Sequence, residues 1–356
     1  MITRSFHPIG QGAFYSEEHD DRFIMVYDCG NLYRTIQSRK VVSTAFPKGS
    51  IIDVLFISHF DADHVNLIDI LKDRYHIKRV VLPLLDRVEE AILISIYRTM
   101  GYSDLINLIS NPQRYFGNNT KIIKVMSGNG GQETSESISL ENYSGDTIRS
   151  LTRLDIRSHL WCFIPFNYEF SEKHKKLLLL FEKEGIDVNN LYCDLDFIAS
   201  KYKKIQKIYE KVDKDINKNS MLLYSGPINK INTYLEPIHS HCLPTYSKHC
   251  KRYNSAGCLY SGDSNWNIID VKKIYHKYWD YVRTIQIPHH GSEYSFSIKP
   301  ITGAKKYLCP MSYGKNKFGH PSVDVVKEMK SHHNYPIAVS DDPEYIFKEK
   351  IDIAVF

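Results

Sequence analysis

Short apolar segments that end in Asp, His or Gly constrain the fold of this chain more than any other feature. The segment Phe23–Tyr27 stops at Asp28-Cys29-Gly30, and the segment Ile51–Ser58 runs directly into His59-Phe60-Asp61-Ala62-Asp63-His64. Apolar runs of this length, bounded by glycine and polar residues, are typical of buried strands. The pattern returns at Ser220–Tyr224, Cys258–Ser261, Thr284–Pro288 and Lys306–Pro310. We therefore expect a mixed α/β (α+β) fold with its chemistry at strand ends.

The middle of the chain has a helical pattern. Apolar spacing predicts helices at Ala91–Met100, Glu172–Gly185 and Asp196–Asp213. We interpret residues 84–215 as a mainly helical insertion or cap. It would separate the first half of a domain, residues 1–83, from its second half, residues 216–356.

The composition is that of a folded protein with reduced thiols. Of the 356 residues, 42% are hydrophobic and 24% charged, which excludes a mainly disordered chain. No apolar run approaches the roughly 20 residues that span a bilayer, so we expect a cytoplasmic protein with no membrane partner. Seven scattered cysteines do not resemble a disulfide framework. A net charge of +5 permits a polyanionic partner without requiring one.

The loop after the second apolar segment carries four candidate metal ligands within six residues: His59, Asp61, Asp63 and His64. A compact loop could direct His59 and Asp61 at one cation, and Asp63 and His64 at another. The alternative is a solvated turn followed by a helix N-cap, because Asp is favoured at that position. The loop alone does not decide between them.

Three later fragments favour the metal site. They are Tyr260-Ser261-Gly262-Asp263, Pro288-His289-His290-Gly291-Ser292 and Phe318-Gly319-His320-Pro321. Taken singly, Asp263 could be a turn residue and the histidines could be surface or loop residues. Taken together, the fragments place metal-binding or acid–base side chains after successive strands or turns.

In this order the motifs resemble the metallo-β-lactamase superfamily, whose HxHxDH signature is followed by further Asp and His ligands at strand ends. The closer likeness is to the ComEC-type branch, the hydrolase domain of bacterial DNA-uptake proteins and its stand-alone relatives. The matching segments are Gly10-Gln11-Gly12, Asp28-Cys29-Gly30, the His59 loop, Ser261-Gly262-Asp263, Pro288–Ser292 and Gly319–Ser322. The resemblance implies an αββα sandwich, in which helices flank two sheets and the insertion covers the site.

The resemblance also implies a set of metal ligands at strand ends: His59, Asp61, Asp63, His64, Asp263 and His289. His59 and Asp61 would bind one ion, Asp263 would bridge, and the other three would bind a second ion. His290 is an alternative to His289 or its neighbour.

The candidate catalytic residues that the resemblance implies are Asp63, His290 and His320. His320 would face the substrate, where an imidazole could protonate a leaving oxygen or hold a phosphate.

The sequence departs from the superfamily pattern at three places. Asp61 stands where most members have a second His, and the harder carboxylate favours manganese or magnesium over zinc. The middle His ligand has no clear counterpart, although Asn219-Ser220 resembles the Asn-Ser of the ComEC-type branch. Ala13 replaces the usual Asp of the opening loop, where His7 or Gln11 could substitute. We predict two divalent ions, with manganese favoured, zinc the alternative and magnesium possible.

Such a pair of ions would activate water for an in-line displacement at phosphorus. The resemblance therefore predicts a metal-dependent phosphodiesterase, most readily a nuclease with DNA favoured, and by analogy a role in prokaryotic defence. Two alternatives remain open. One is hydrolysis of a small ester, lactone or nucleotide, and the other is a metal-poor regulatory module whose insertion binds a protein partner.

Two further clusters allow two interpretations each. A lysine strip with Tyr202 and Tyr209 could follow nucleic acid or form the solvated face of a helix: Lys201, Lys203, Lys204, Lys207, Lys211, Lys214 and Lys218. A second cluster could bind structural zinc, but its spacing favours a polar loop with ordinary cysteines: His239, His241, Cys242, His249, Cys250 and Cys258. Cys29 is interpreted as a packing residue.

Overall fold

Two large β-sheets packed face to face form the centre of the molecule, as seen in a computed structural model. The structure describes residues 1–129, 136–156, 160–168, 179–187, 201, 204, 220–239, 252–253 and 255–354. The first sheet contains, in spatial order, β11 (Thr147–Ile148), β8 (Lys121–Val125), β7 (Arg79–Pro83), β5 (Val54–Phe56), β3 (Ile24–Asn31), β2 (Gly12–His19), β1 (Ile2–Phe6), β21 (Phe347–Ala354), β15 (Asn232–His239) and β16 (Arg252–Tyr253).

The second sheet faces the first. It contains, in spatial order, β10 (Ser137–Ser139), β12 (Arg153–Asp155), β13 (Trp161–Tyr168), β14 (Leu222–Pro227), β17 (Gly257–Tyr260), β18 (Val282–Ile285), β19 (Leu308–Ser312) and β20 (Tyr335–Val339), with β9 (Ser127–Gly128) beside β13. A small separate pair consists of β4 (Ile51–Ile52) and β6 (His76–Ile77).

Helices lie on the outer faces of the two sheets. The α-helices are α1 (Ile36–Ser43), α2 (Ala62–Val65), α3 (Ile68–Arg74), α4 (Arg87–Met100), α5 (Ser103–Ser110), α6 (Pro112–Phe116), α7 (Val271–Ile274) and α8 (Val323–Ser331). Short 3-10 helices cover Trp279–Tyr281, Pro288–Gly291, Lys299–Ile301 and Pro343–Tyr345.

Alternating apolar residues divide the core into three layers. Along β5, Val54 and Phe56 belong to the layer between the sheets, whereas Leu55 belongs to the layer beneath the helices of the first sheet. On β13, Phe163 points into the central layer and Cys162 into the layer beneath the helices of the second sheet. This alternation is the period of two that a strand imposes. The predicted αββα sandwich is confirmed.

The structure differs from the sequence prediction in the middle of the chain. Helix α4 agrees with the predicted Ala91–Met100, but six strands of the two sheets, β8 to β13, lie between residues 121 and 168. Their short apolar runs alternate with Thr, Ser and Lys, which the helical interpretation overlooked. Of the predicted helix at 172–185, residues 179–185 are described, and 179–183 are helical. The predicted helix at 196–213 falls outside the described residues except for 201 and 204. The division into domains stays a prediction.

A fully buried arginine connects the two sheets. On β1, Arg4 pairs with Glu17 of β2 at 2.8 Å and with Glu349 of β21 at 2.7 Å, and it donates to the carbonyl of Ala256 at 3.1 Å. Arg4, Glu17 and Glu349 are each 0% exposed. Burial would raise the pKa of Glu17, but Arg4 and His19 together outweigh it and lower this pKa to about 2, whereas burial raises the pKa of Glu349.

The second sheet supplies the remaining donors to these two carboxylates. Ser225 of β14 donates to Glu17 Oε2 at 2.7 Å, and Tyr260 of β17 donates to Glu17 Oε1 at 3.0 Å. Thr284 of β18 donates to Glu349. No sequence pattern predicted this cluster, because its members are separated by up to 345 residues along the chain.

We predict that Arg4→Met lowers the free energy of unfolding by about 3–5 kcal/mol, because it leaves buried carboxylates without their cation. Urea unfolding followed by circular dichroism measures this loss. The triple variant R4M/E17Q/E349Q is the control and should recover part of the stability, since it removes the unpaired charges. A loss below about 1 kcal/mol in the single variant would contradict the prediction.

A buried histidine makes stability depend on pH. His7 is 6% exposed, stacks on Phe14 at 4.2 Å and shares a hydrogen bond of 2.8 Å with Ser16 Oγ. Burial lowers the pKa of His7 from 6.5 to about 3, and Lys348 adds to this effect. The unfolded chain therefore binds a proton that the folded chain does not bind between these two pH values.

The folded state should consequently lose stability as the pH falls below 6.5. Between pH 7 and pH 5, we expect wild type to lose about 2 kcal/mol more than His7→Gln, which lacks the titrating group. Denaturant unfolding of both proteins at the two pH values measures the difference. Equal losses in both proteins would show that His7 does not titrate as the fold predicts.

Candidate metal centre

Five strand ends and one strand start meet at one edge of the sandwich. β3 and β5 are parallel neighbours in the first sheet, and β17, β18 and β19 are parallel in the second. Parallel neighbours have their carboxyl ends at the same edge. β14 is antiparallel to β17, so its amino end lies there too. The polar residues at or beyond these ends are Asp28, His59, Asp61, Asp63, His64, Ser220, Asp263, His289, His290 and His320.

The carboxylate of Asp28 organises the first of these loops. It accepts hydrogen bonds from Ser58 N at 2.7 Å, Ser58 Oγ at 2.6 Å and His64 Nδ1 at 2.8 Å. Two residues later, Gly30 packs directly on the loop, where an added Cβ would lie 2.5 Å from the carbonyl carbon of Asp63. Only glycine permits this approach. The turn after β3 therefore fixes the backbone of the ligand loop.

Imidazole tautomers at the site are set by neighbouring protein groups. Because the hydroxyl hydrogen of Ser58 goes to Asp28, Ser58 Oγ accepts a hydrogen bond from His59 Nδ1 at 2.8 Å. His290 Nδ1 donates to the carbonyl of Ser312 at 2.8 Å. A proton on Nδ1 leaves the lone pair of Nε2 available to a metal ion.

The candidate ligands form two groups that share a residue, and within each group the ligand atoms lie within 4.8 Å of one another. His59, His64 and Asp263 form the first group, and Asp63, His64 and His290 form the second. His64 Nε2 lies 3.1 Å from Asp263 Oδ1, and His290 Nε2 lies 3.2 Å from Asp63 Oδ2. Ligand atoms about 2.1 Å from a tetrahedral ion lie about 3.4 Å apart. The spacing is that of atoms able to share an ion.

The two remaining predicted ligands lie beside the first group. His59 Nε2 is 3.6 Å from Asp61 Oδ2 and 3.9 Å from Asp263 Oδ2. His289 Nε2 is 3.7 Å from Asp263 Oδ2. The structure thus brings all six predicted ligands together around Asp263, with His290 rather than His289 in the second group. Which of them bind an ion stays a prediction.

Three buried ligand atoms make no well-formed hydrogen bond: His59 Nε2, His64 Nε2 and Asp263 Oδ1. Two of them, His64 Nε2 and Asp263 Oδ1, face each other as an ion pair at 3.1 Å. Buried polar atoms are almost always satisfied by protein or water. All three atoms belong to the first group and converge from different strand ends. A cation bound among them would satisfy all three, so these residues fit a metal ion.

Opposite charges are crowded at the site. Burial alone would raise the pKa of Asp263, but His64, His289 and His290 outweigh it and hold this pKa well below its usual value. Burial alone would lower the pKa of His64, but Asp263 and Asp28 outweigh it and raise this pKa. The carboxylates therefore require nearby positive charge, which a divalent cation can supply in place of protonated imidazoles.

The turn after β18 has an unusual backbone. His289 and His290 have φ angles of 49° and 56°, a left-handed conformation that costs a non-glycine residue about 1–2 kcal/mol. Gly291 follows with φ 82°, and a Cβ there would lie 2.8 Å from Pro321 Cβ. On its outer side, His289 Nδ1 is held by Ser295 Oγ at 3.0 Å. The strained turn presents two adjacent imidazoles to Asp263.

His320 lies at the rim of the cluster. Its ring centroid is 5.3 Å from that of His289 and 6.3 Å from that of His290. Burial, together with the neighbouring His289 and His290, lowers the pKa of His320 from 6.5 to about 4. The imidazole is therefore neutral at neutral pH in the free protein.

Serine residues that support the ligands were not among the predicted site residues. Besides Ser58, Ser295 and Ser312, they include Ser220, which accepts a hydrogen bond from Asp263 N at 2.7 Å and lies 3.1 Å from His59 Nδ1. Their signal in the sequence is weak, because serine beside a strand end is common.

His7 and Gln11, the predicted substitutes for the Asp that Ala13 replaces, have different surroundings. His7 is engaged by Ser16 and Phe14, whereas Gln11 Oε1 is buried without a hydrogen-bond partner. Ala13 is buried and pairs with Gly30. Among the described residues, His7 makes its hydrogen bond to Ser16 and not to a candidate ligand.

Other predicted features are described only in part. Of the lysine strip, Lys201 and Lys204 are described, and Lys204 pairs with Glu184 at 3.4 Å. Of the histidine and cysteine cluster, His239 lies on β15 and Cys258 on β17. The four cysteines in the described part are free and buried, including Cys29. Along the described ranges, no helix has the length and apolarity to cross a membrane.

Comparisons with known proteins give limited information. No family model matches the chain, and no curated protein matches it. Among solved structures, it is similar to the metallo-β-lactamase fold protein YhfI from Bacillus subtilis, with 9% identity over 98% of this chain and 99% of that one, at a TM-score of 0.36.

Two further solved structures are similar at the same level. A mutant of the CmlA β-hydroxylase shares 10% identity over 98% of this chain at a TM-score of 0.39, and a long form RNase Z from yeast shares 8% over 87% at 0.37. The matches span 54% and 37% of those chains. Superpositions this loose carry no argument about function, and none supports the ComEC-type branch.

We predict that Asp28→Asn weakens divalent metal binding by about 10- to 100-fold, because an amide cannot accept all three hydrogen bonds that hold Ser58 and His64. Titration calorimetry with Mn²⁺ and Zn²⁺ measures the affinity. The matched control is Asp53→Asn, which alters a buried carboxylate near the opposite end of β3 that holds Ile24 N at 3.0 Å. Equal effects of the two variants would argue against a specific role for Asp28.

Proposed function

We propose that this protein is a metal-dependent phosphodiesterase, and most readily a nuclease. The observation that carries the proposal is the convergence of His59 Nε2, His64 Nε2 and Asp263 Oδ1, all buried and none in a well-formed hydrogen bond. A second group with Asp63 and His290 adjoins them. The sequence motifs that resemble the ComEC-type hydrolases motivate the choice of a phosphodiester.

The ligand assignment we propose combines the resemblance with the geometry. His59 and Asp61 would hold one divalent ion, Asp263 would lie between the two sites, and His64 with its neighbours would hold the other. Since His64 Nδ1 is occupied by Asp28, its Nε2 could serve only one ion. His290, held by Ser312, would take the place predicted for His289 at the second site.

Divalent cations bound there would supply the Lewis acidity that activates water and stabilises charge developing on a phosphate. The protein's own residues place and polarise the reactants. Asp63 stays ionised, because His290 and His64 outweigh the effect of burial on its pKa. It can therefore accept a hydrogen bond from the attacking water. Neutral His320 can donate its single N–H to a phosphate oxygen at the rim.

Substituting an assigned ligand should abolish hydrolysis. We expect Asp263→Asn and His59→Ala to lower kcat on labelled single- and double-stranded DNA and RNA by about 100-fold or more, since metal-ion stabilisation is worth several kcal/mol. The assay is gel-resolved cleavage with Mn²⁺, with Zn²⁺, with Mg²⁺ and with EDTA. The matched control is His76→Ala, an exposed histidine on β6 outside the cluster, which should cleave normally.

Two results would overturn this proposal. One is the absence of cleavage of any nucleic acid and of bis(p-nitrophenyl) phosphate with all three metals. The other is cleavage that persists unchanged in Asp263→Asn. Hydrolysis of a lactone or of a small ester in place of these substrates would assign the site to a small-molecule hydrolase.

A further inference from the structure

The loop between β19 and α8 begins and ends on the ligand cluster. Its first anchor is Ser312, whose carbonyl holds His290 Nδ1 at 2.8 Å. Its last residue before the proline is His320, whose ring lies 5.3 Å from that of His289. Anything bound along residues 313–320 is therefore next to the proposed reaction centre.

One side chain holds this loop in a fixed shape. Asn316 Nδ2 donates to the carbonyls of Gly314 and His320, each at 2.8 Å. Asn316 Oδ1 accepts from Phe318 N at 3.0 Å and from His320 N at 3.2 Å. The side-chain amide of Asn316 thus makes all four of its possible hydrogen bonds within the loop. The loop therefore presents its exposed side chains in a preformed arrangement, which lowers the entropy lost on binding.

The exposed side chains of the loop are an aromatic ring and two cations. Phe318 is 62% exposed, and its ring lies 5.7 Å from that of His320 with an interplanar angle of 31°. Lys315 and Lys317 are also exposed. A single exposed aromatic residue is ordinary on a protein surface. Here, however, the Phe318 ring lies next to His320, which itself lies beside the candidate metal ligand His289. Two lysines also stand close to Phe318 in the sequence, at positions 315 and 317.

We propose that loop 313–320 is a platform on which one base of a single-stranded nucleic acid stacks, beside the phosphate to be cleaved. Phe318 supplies the flat apolar surface, and Lys315 and Lys317 attract the neighbouring phosphates. Every base has a π-face, so such a platform tolerates any sequence. In a duplex the bases are already stacked on each other, so the platform selects single strands. The inference deepens the proposed function and rests on it.

The alternative occupant of this apolar surface would be a protein. Charge complementarity favours nucleic acid, because two lysines within three residues of the ring suit a polyanion whose phosphates repeat along the backbone. Stacking also requires a flat ring rather than mere apolar area. That difference allows the stacking contribution to be measured separately from hydrophobicity.

The test measures binding in EDTA, where metal-dependent cleavage cannot occur. The probe is a 5′-fluorescein-labelled oligo-dT of about 12 nucleotides, within the usual site size of single-strand binders, and the readout is fluorescence anisotropy of the full chain. We expect Phe318→Leu to raise Kd about 5- to 150-fold, the range of one lost stacking contact. Phe318→Trp keeps the ring and should bind at least as tightly as wild type.

Two controls define the outcome. Ile51→Ala truncates an exposed apolar side chain before β5, at the opposite edge of the sheet, and should leave Kd unchanged. A blunt duplex of the same length should compete at least about tenfold less well than the single strand. The proposal fails if Phe318→Leu binds like wild type, or if the duplex competes equally. Either result would mean that binding depends on phosphate attraction alone, without base stacking.

The same proteins are then assayed for cleavage with Mn²⁺. Loss of stacking should lower oligonucleotide cleavage relative to hydrolysis of bis(p-nitrophenyl) phosphate, which has no base to stack. Wild type that binds the single strand through Phe318 in EDTA but cleaves nothing with any metal would overturn the proposed function and keep the platform. Cleavage that is indifferent to Phe318→Leu would overturn the platform and keep the function.

Discussion

The buried ion cluster of Arg4, Glu17 and Glu349 holds the two sheets at one relative position. Apolar contacts between sheets are non-directional, so they permit sliding. The guanidinium group has donors in fixed directions, and the second sheet adds hydrogen bonds from Ser225 and Tyr260 to Glu17. This restriction matters for the site. His64 comes from a loop of the first sheet and Asp263 from a loop of the second, and their side-chain atoms lie 3.1 Å apart.

Residues surrounding the candidate metal centre orient its histidine side chains. Asp28 and Ser58 orient His64 and His59, and the carbonyl of Ser312 orients His290. Each of these contacts occupies Nδ1 and turns Nε2 towards Asp263 or Asp63. A side chain held by its own environment can bind an ion without losing much conformational freedom. The geometry therefore supports preformed binding better than a site that assembles around its ion.

The two groups of ligands are not equivalent. In the first, Ser220 lies beside His59 and holds the backbone of Asp263, and its hydroxyl is a poorer metal ligand than an imidazole. Each group offers two imidazoles and a carboxylate, and both include His64. If His64 serves the second ion, as proposed, the first site would keep only the imidazole of His59 and would depend on the carboxylates of Asp61 and Asp263. Its donors would then be harder than those of the second site.

Several features could be predicted because they depend on short stretches of chain. The apolar segments before Asp28 and His59 specify strands through local burial, and parallel strands bring their carboxyl ends to one edge. This local pattern was sufficient to predict a mixed α/β fold with its chemistry at strand ends. The order of Asp and His residues carried the resemblance that implied the αββα sandwich and the set of side chains that would meet. The strands between residues 121 and 168 escaped prediction, because their short runs are stabilised by pairing partners that local pattern does not reveal.

The motifs specify which carboxylates and imidazoles are available to the cluster, and this could be known without a fold. How these side chains are oriented depends on the packing of distant segments. The left-handed backbone at His289 and His290 turns His290, and not His289, towards Asp63. Arg4 finds its partners 13 and 345 residues away. These outcomes depend on distances between segments far apart in the chain, and such distances are fixed only when both sheets have packed.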